Sequence, residues 1–243
     1  MGGKVYIVGA GPGDPSLLTI RALELISEAD LILADDLIGE EIKKVIPEDK
    51  LMDVGKKTSG LAQEEINRLI VDLTREKKVV RLKGGDPFLF GRGGEEIAYL
   101  KKNGVKFEVI PGITSAIAVP EIAGIPVTDR NITSTFTVIT GHEKDENSRI
   151  NWKALSELGG TIVILMGVEN LKRNMDKLRK NGMDPKTSVS IIEKGVTGSG
   201  RVLHGDISNI AEIAREEDLS PPAVIVIGEV TRFPLYEEEE IKI

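Results

Sequence analysis

Apolar positions along this chain fall into short runs rich in Val and Ile, and between those runs into segments where apolar residues recur at helical spacing. Short runs bounded by turn residues read as buried strands, and recurrence at i, i+3 and i+4 reads as amphipathic helix. The first half therefore predicts strands at 4–8, 31–34, 79–82 and 106–110, with helices near 17–28, 40–45, 63–76 and 95–103. Asn103-Gly104 is a good stop for the last of these. A second series starts near Thr135, with strands at 136–140, 162–166, 188–192 and 223–228 and helices near 152–158, 168–180 and 207–216. Strands alternating with helices are the signature of an α/β fold with crossover helices. The stretch 124–131, punctuated by Gly124 and Pro126, reads as a linker. The expected architecture is two α/β domains, 1–130 and 135–243, facing each other across a cleft of the kind that holds small molecules.

The loop after the first strand, Gly9-Ala10-Gly11-Pro12-Gly13-Asp14-Pro15, has the look of a dinucleotide fingerprint but departs from it. A pyrophosphate turn needs free backbone N–H groups and a third glycine for close packing. Here Asp14 stands where that glycine belongs, and Pro12 has no N–H to donate. A carboxylate beside two phosphates is repelled. The loop suits a neutral or zwitterionic nucleotide-like ligand, of which S-adenosylmethionine is the commonest, better than NAD or ATP.

Composition narrows the classes further. With 243 residues, 40% of them apolar, the chain is an ordinary globular protein with a sizeable core. No apolar run approaches the roughly 18 residues of a membrane span, and no signal layout precedes the first strand, so a cytoplasmic enzyme is expected. The absence of cysteine excludes disulfides, thiolate metal sites and cysteine nucleophiles. His142 and His204 are the only imidazoles, which argues against a multi-histidine metal centre, and no metal is expected. A net charge of -7 argues against a nucleic-acid partner.

Further glycine-bearing or charged stretches follow, and those at 83–88, 111–116 and 35–36 sit at predicted strand ends, where open α/β sheets place their ligands. Lys83-Gly84-Gly85-Asp86-Pro87-Phe88 is either a close approach for a ligand or a tight turn before a helix. In Gly91-Arg92-Gly93-Gly94-Glu95-Glu96, Arg92 is either a bidentate carboxylate partner or a solvated loop residue. In Pro111-Gly112-Ile113-Thr114-Ser115-Ala116 the hydroxyls cap a helix or bind a ligand. Asp35-Asp36 and Gly55-Lys56-Lys57 are either an acid/base pair or loop charges. His142, again at a strand end, is either catalytic or a hydrogen-bonded structural histidine.

These stretches together resemble the uroporphyrinogen-III C-methyltransferases of the tetrapyrrole methylase superfamily. The resemblance runs from about Lys4 to Val230 and rests on GAGPGDPSLLT at 9–19, ADDLI at 34–38, VGKK at 54–57 and QEEIN at 63–67. It continues in VRLKGGDPFLFGRGGEE at 80–96, VIPGITSAIA at 109–118, GIPVTDR at 124–130 and PAVIVIGEV at 222–230. The opening loop is shared across the superfamily, including diphthine synthase, whereas GRGGEE and DDLI point to the uroporphyrinogen branch.

The resemblance implies transfer of two methyl groups from S-adenosyl-L-methionine to C2 and C7 of uroporphyrinogen III, giving precorrin-2 and S-adenosyl-L-homocysteine. It implies a homodimer of two-domain chains with the cofactor between the domains. Matched by motif, cofactor contacts fall on Pro12, Gly84, Gly85, Asp86, Leu89, Thr114, Ser115, Met166, Gly195 and Ala223. The proton acceptor matches Asp35 and the proton donor Lys56. Arg21, Lys57, Arg92 and Arg130 are the further cations expected to meet the substrate's carboxylates. The alternatives are a methylase of a later precorrin and a non-catalytic S-adenosylmethionine-binding protein. The chain departs from the family pattern at Asp129, where T-H-R is usual, at Ala34, where a tyrosine is usual, and in a shortened segment between Lys57 and Gln63.

Overall fold

The computed structural model describes residues 3–55, 59–143, 148–196 and 198–232, and the chain divides into two units, Met1–Thr114 and Ser115–Ile243. The first runs β1 (Lys4–Gly9), α1 (Ile20–Glu28), β2 (Leu31–Ala34), α2 (Glu40–Lys44), β3 (Leu51–Asp53), α3 (Gln63–Leu73), β4 (Val79–Lys83), α4 (Gly93–Lys102) and β5 (Lys106–Ile110). Its strands lie in the order β3-β2-β4-β1-β5, each neighbouring pair parallel. A parallel sheet is covered on both faces, so its strands are apolar throughout instead of alternating. All four residues of β2, Leu-Ile-Leu-Ala, are buried. One face packs Val8, Ile32, Val80 and Leu82 against Leu25 and Ile26 of α1 and Ile42 of α2. The other packs Val5, Ile7, Leu33 and Val79 against Ile66 and Ile70 of α3 and Leu100 of α4. Each such side chain contributes roughly 1.5–3 kcal/mol when fully buried.

Register brings the strand ends together. Gly9 pairs with Lys83, Ala34 with Leu82, and Val8 with Ile110, so these strands finish within a residue or so of one carboxyl edge. The chain leaves β1 to reach β2 beyond β4, and leaves β4 to reach β5 beyond β1. Neighbouring strands whose connections depart in opposite directions open a crevice at their carboxyl ends.

The second unit runs α5 (Ser115–Ile122), β6 (Phe136–Thr140), α6 (Trp152–Leu158), β7 (Thr161–Leu165), α7 (Leu171–Lys180), β8 (Ser188–Glu193), β9 (Arg201–Asp206), α8 (Ile210–Glu216) and β10 (Ala223–Ile227). Its sheet is mixed, in the order β6-β7-β10-β8-β9: β6 and β7 are parallel, and β10 is antiparallel to both its neighbours. Ile162, Ile164, Ile191 and Ile225 form its core with Trp152, Met175, Leu178 and Ile210.

Several details differ from the sequence reading. The division comes after Thr114, ahead of the stretch 124–131, because α5 packs on β7 and β10 and belongs with the second unit. The helix expected from 17 begins only at Ile20, because Pro15–Leu17 form a separate 3-10 turn followed by extended Leu18 and Thr19, whereas the helix expected from 168 opens as a 3-10 turn, Val168–Asn170. Thr19 fixes where α1 begins, since its hydroxyl accepts the Ala22 N–H at 3.1 Å. Strands β3 and β9 were not anticipated: β3 is only three residues long, Leu-Met-Asp, β9 is interrupted by His204 and Gly205, and each is defined by pairing with a neighbour.

Candidate functional site

Three loops leave the carboxyl edge of the first sheet side by side, and glycine makes that possible. A Cβ on Gly9 would stand 2.5 Å from Gly112 Cα and 2.6 Å from the Gly85 carbonyl oxygen, and one on Gly112 would stand 2.2 Å from that same oxygen. Backbone thus packs on backbone where β1, β4 and β5 end. Gly11 and Gly85 exchange hydrogen bonds, Gly11 N–H to Gly85 O at 3.2 Å and Gly85 N–H to Gly11 O at 2.8 Å. Both have positive φ, 70° and 64°, which glycine adopts without the Cβ penalty. Where a Cβ on Gly85 would stand, none of the described residues lies within 4 Å. That backbone is open to close approach.

Two aspartates order these loops. Asp14 caps the 3-10 turn after β1 by accepting the Ser16 N–H at 2.7 Å. Asp86 ties two loops together: Oδ1 accepts from Phe88 N–H at 2.8 Å and Leu89 N–H at 3.2 Å, and Oδ2 accepts from Gly112 N–H at 3.2 Å.

Beside them, at the end of β2, Asp35 belongs to a cluster of four charges. Arg81 Nη2 donates to Asp35 Oδ1, and Arg81 Nε donates to Glu96 Oε1 at 3.1 Å. Lys83 Nζ reaches Asp35 Oδ2 at 3.4 Å and Glu96 Oε1 at 3.2 Å. Arg81, Lys83 and Glu96 are buried, and only Asp35 shows appreciable side-chain exposure, 27%. Burial works against the Arg81 cation, but Asp35 and Glu96 outweigh it and raise its pKa above the ordinary arginine value. The sequence reading missed this cluster, although two cations, Arg81 and Lys83, inside the otherwise apolar run of β4 are a signal that could have pointed to it.

Residues 4–211 match the family described as Tetrapyrrole (Corrin/Porphyrin) Methylases. The chain belongs to this family. The uroporphyrinogen-III C-methyltransferase of Methanocaldococcus jannaschii is 52% identical over 236 residues, which cover 95% of this tetrapyrrole methylase and 97% of that protein. Among solved structures, the uroporphyrin-III C-methyl transferase of Thermus thermophilus complexed with S-adenyl homocysteine has a TM-score of 0.82 at 38% identity, covering 95% and 99% of the two chains. A cobalt precorrin-4 methyltransferase has a TM-score of 0.84 at 28% identity, covering 93% and 95%.

The residues of this methylase fit the methyl donor the family implies. Loops 10–14, 84–89 and 111–114 contain no lysine or arginine, so they offer a nucleoside neutral backbone and nothing that would neutralise a pyrophosphate. Pro12, Gly84, Gly85, Asp86, Leu89 and Thr114 lie on these loops, each partly exposed. In the second unit, Met166 follows β7 at φ 54° with 47% exposure. A long apolar side chain held exposed in the left-handed region is strained, and such strain gathers at ligand sites. Gly195 is buried where a Cβ would stand 2.6 Å from Val119 of α5, so only its backbone is on offer. Ala223 opens β10 and Ser115 opens α5, both partly exposed.

The expected cations are less gathered. Lys56 and Lys57 lie outside the described residues. Arg92 directs its fork at a carboxylate of its own chain, with Nε 3.0 Å from Glu95 Oε1 and Nη2 2.6 Å from Oε2. Arg21 is exposed on α1 and pairs with Glu24 at 2.9 Å. Arg130 is exposed in a turn that Asp129 organises by accepting the Asn131 N–H at 2.8 Å, a local use for the residue that departs from the family pattern. His142 is a surface side chain 3.7 Å from Glu169.

Proposed function

We propose that this methylase transfers methyl groups from S-adenosylmethionine to C2 and C7 of uroporphyrinogen III, giving precorrin-2, the branch leading to siroheme and cobalamin. The observation that carries the substrate is the 52% identity with the Methanocaldococcus jannaschii enzyme over nearly all of both chains. Bound at the glycine junction, the donor supplies an electrophilic sulfonium methyl. The chain's part is to hold donor and ring carbon in line and to manage a proton.

Pro12, Gly84, Gly85, Asp86, Leu89, Thr114, Ser115, Met166, Gly195 and Ala223 bind the donor. Asp35 accepts the proton that the cationic ring system loses after methylation, and Lys56 is the proton donor. Arg21, Lys57, Arg92 and Arg130 pair with the substrate's carboxylates. The working form is a cytoplasmic homodimer with no membrane partner and, in line with the net charge of -7, no nucleic-acid partner. Light scattering on the purified protein tests the dimer.

The deciding experiment supplies purified protein with S-adenosylmethionine and uroporphyrinogen III under reducing conditions. Doubly methylated product is expected, with Asp35→Asn slower by about 10²–10⁴-fold. The likeness to a cobalt precorrin-4 methyltransferase favours, as the second reading, a later precorrin as substrate. Turnover only on an already methylated precorrin would establish that reading instead.

A further inference from the structure

We propose that Arg81 is a positioning residue for methyl transfer, aiming the Asp35 carboxylate from beneath the open edge of the first sheet. The inference rests on the reading of Asp35 as proton acceptor.

The geometry around Arg81 leaves its guanidinium one orientation. Nε donates to Glu96 Oε1 at 3.1 Å, Nη1 donates to the carbonyls of Leu33 at 3.2 Å and Leu82 at 3.4 Å, and Nη2 donates to Asp35 Oδ1. A planar fork used on all three nitrogens cannot swing, so the position of its tip is transmitted to the carboxylate it holds. Lys83 holds the other Asp35 oxygen. Glu96 is the counterweight behind them: its Oε1 takes Arg81, Lys83 and the Gln63 amide at 3.1 Å. Its Oε2 is buried with no hydrogen-bond partner among the described residues.

Charge and exposure give the cluster a direction. Two cations and two carboxylates balance, three of the four side chains are at most 4% exposed, and the fourth, Asp35, reaches the carboxyl edge. A buried ion pair kept only for stability is commonly replaceable by apolar residues. This one ends in a carboxylate at the surface where the reaction is placed, beside the glycine junction.

A double-mutant cycle separates positioning from folding. Arg81→Lys, which keeps the charge and loses the fork, is made in the full-length wild type and in Asp35→Asn. Single-turnover methyl transfer to uroporphyrinogen III, the affinity for S-adenosylhomocysteine and the melting temperature are measured for each. Arg81→Lys is expected to slow transfer by about 10²-fold, the scale of a small misplacement of a reacting group, with cofactor affinity unchanged. In the Asp35→Asn background the same substitution is expected to change the rate by less than about twofold, because residues acting as one unit are not additive.

A full multiplicative loss in the Asp35→Asn background, or a wild-type rate for Arg81→Lys, overturns the inference while leaving the proposed function standing. If Arg81→Lys does not fold, Glu96→Gln, which loosens the guanidinium from its other side, is read by the same criteria. An Asp35→Asn protein as fast as wild type removes the acceptor role and this inference together. A wild-type protein inert toward uroporphyrinogen III overturns both function and inference.

Discussion

Gly9 and Gly112 meet backbone to backbone at the ends of β1 and β5, with 2.5 Å between Gly112 Cα and the point where a Cβ on Gly9 would stand. Neither partner is a flexible side chain that can move aside. Gly9→Ala is therefore expected to destabilise by about 1–3 kcal/mol, the range for overpacking, and to weaken S-adenosylhomocysteine binding by parting the loops. Gly94→Ala is the control. It sits in the first turn of α4 with none of the described residues within 4 Å of its Cβ position, and should stabilise by up to about 1 kcal/mol. Melting temperatures and calorimetric titrations of both variants check the contrast, and an unaffected Gly9→Ala would show that the junction yields.

Asp86 satisfies three backbone donors from two loops. Asp86→Ala leaves those N–H groups without their acceptor, at roughly 1–3 kcal/mol for each one kept from water. The expected result is a lower melting temperature together with a large loss of S-adenosylhomocysteine affinity. Full affinity in a destabilised Asp86→Ala would confine the residue to loop order.

Arg92 and Glu95 are each more than half exposed, and such pairs contribute about 0–1 kcal/mol. Arg92→Ala should barely move the melting temperature. If the fork exchanges Glu95 for a substrate carboxylate, the KM for uroporphyrinogen III rises by about tenfold or more while that for S-adenosylmethionine stays put. Equal KM values in wild type and variant would remove Arg92 from the substrate site.

Glu193, at the end of β8, is expected to contribute to the loss of stability in acid. Burial pushes its pKa up, but the Ser220 hydroxyl and N–H and the Arg201 guanidinium together pull it from 4.5 down to about 2. A depressed folded-state value means stability that is complete above the unfolded value and lost as pH falls toward about 2. The whole effect is on the order of 3 kcal/mol at 1.36 kcal/mol per unit. Denaturant melts of wild type should weaken between pH 4.5 and 2, and Glu193→Gln should weaken less over that interval. Parallel losses in both proteins would assign acid sensitivity elsewhere.

Strands buried on both faces could be read from the chain, and so could the edge strands β5 and β6, where Phe, Val and Ile fill most of each run. β2 and β7 are apolar runs because helices cover both sides of them, and burial is written in residue type. β3 and β9 could not be read in this way, since β3 is only Leu-Met-Asp and β9 carries Arg201, His204, Gly205 and Asp206, so that each is defined by the neighbour it pairs with. The same holds for the boundary between the units. The Gly/Pro stretch at 124–131 marks a loop by its local chemistry, but which sheet α5 packs on is decided by contacts with β7 and β10, far along the chain.

At the candidate site the sequence by itself determined the loops, the need for glycine in them, and the unsuitability of Asp14 and Pro12 for a pyrophosphate, because backbone freedom and charge are properties of the residues themselves. It did not indicate what Asp35 touches. Arg81 lies 46 residues further on, and Glu96 another 15. Only the parallel register of β2 with β4 and the packing of α4 bring those charges together. Residue type announces that a carboxylate is present, whereas its orientation and partners come from tertiary structure, because electrostatic contacts act through space and the chain's order says little about distance.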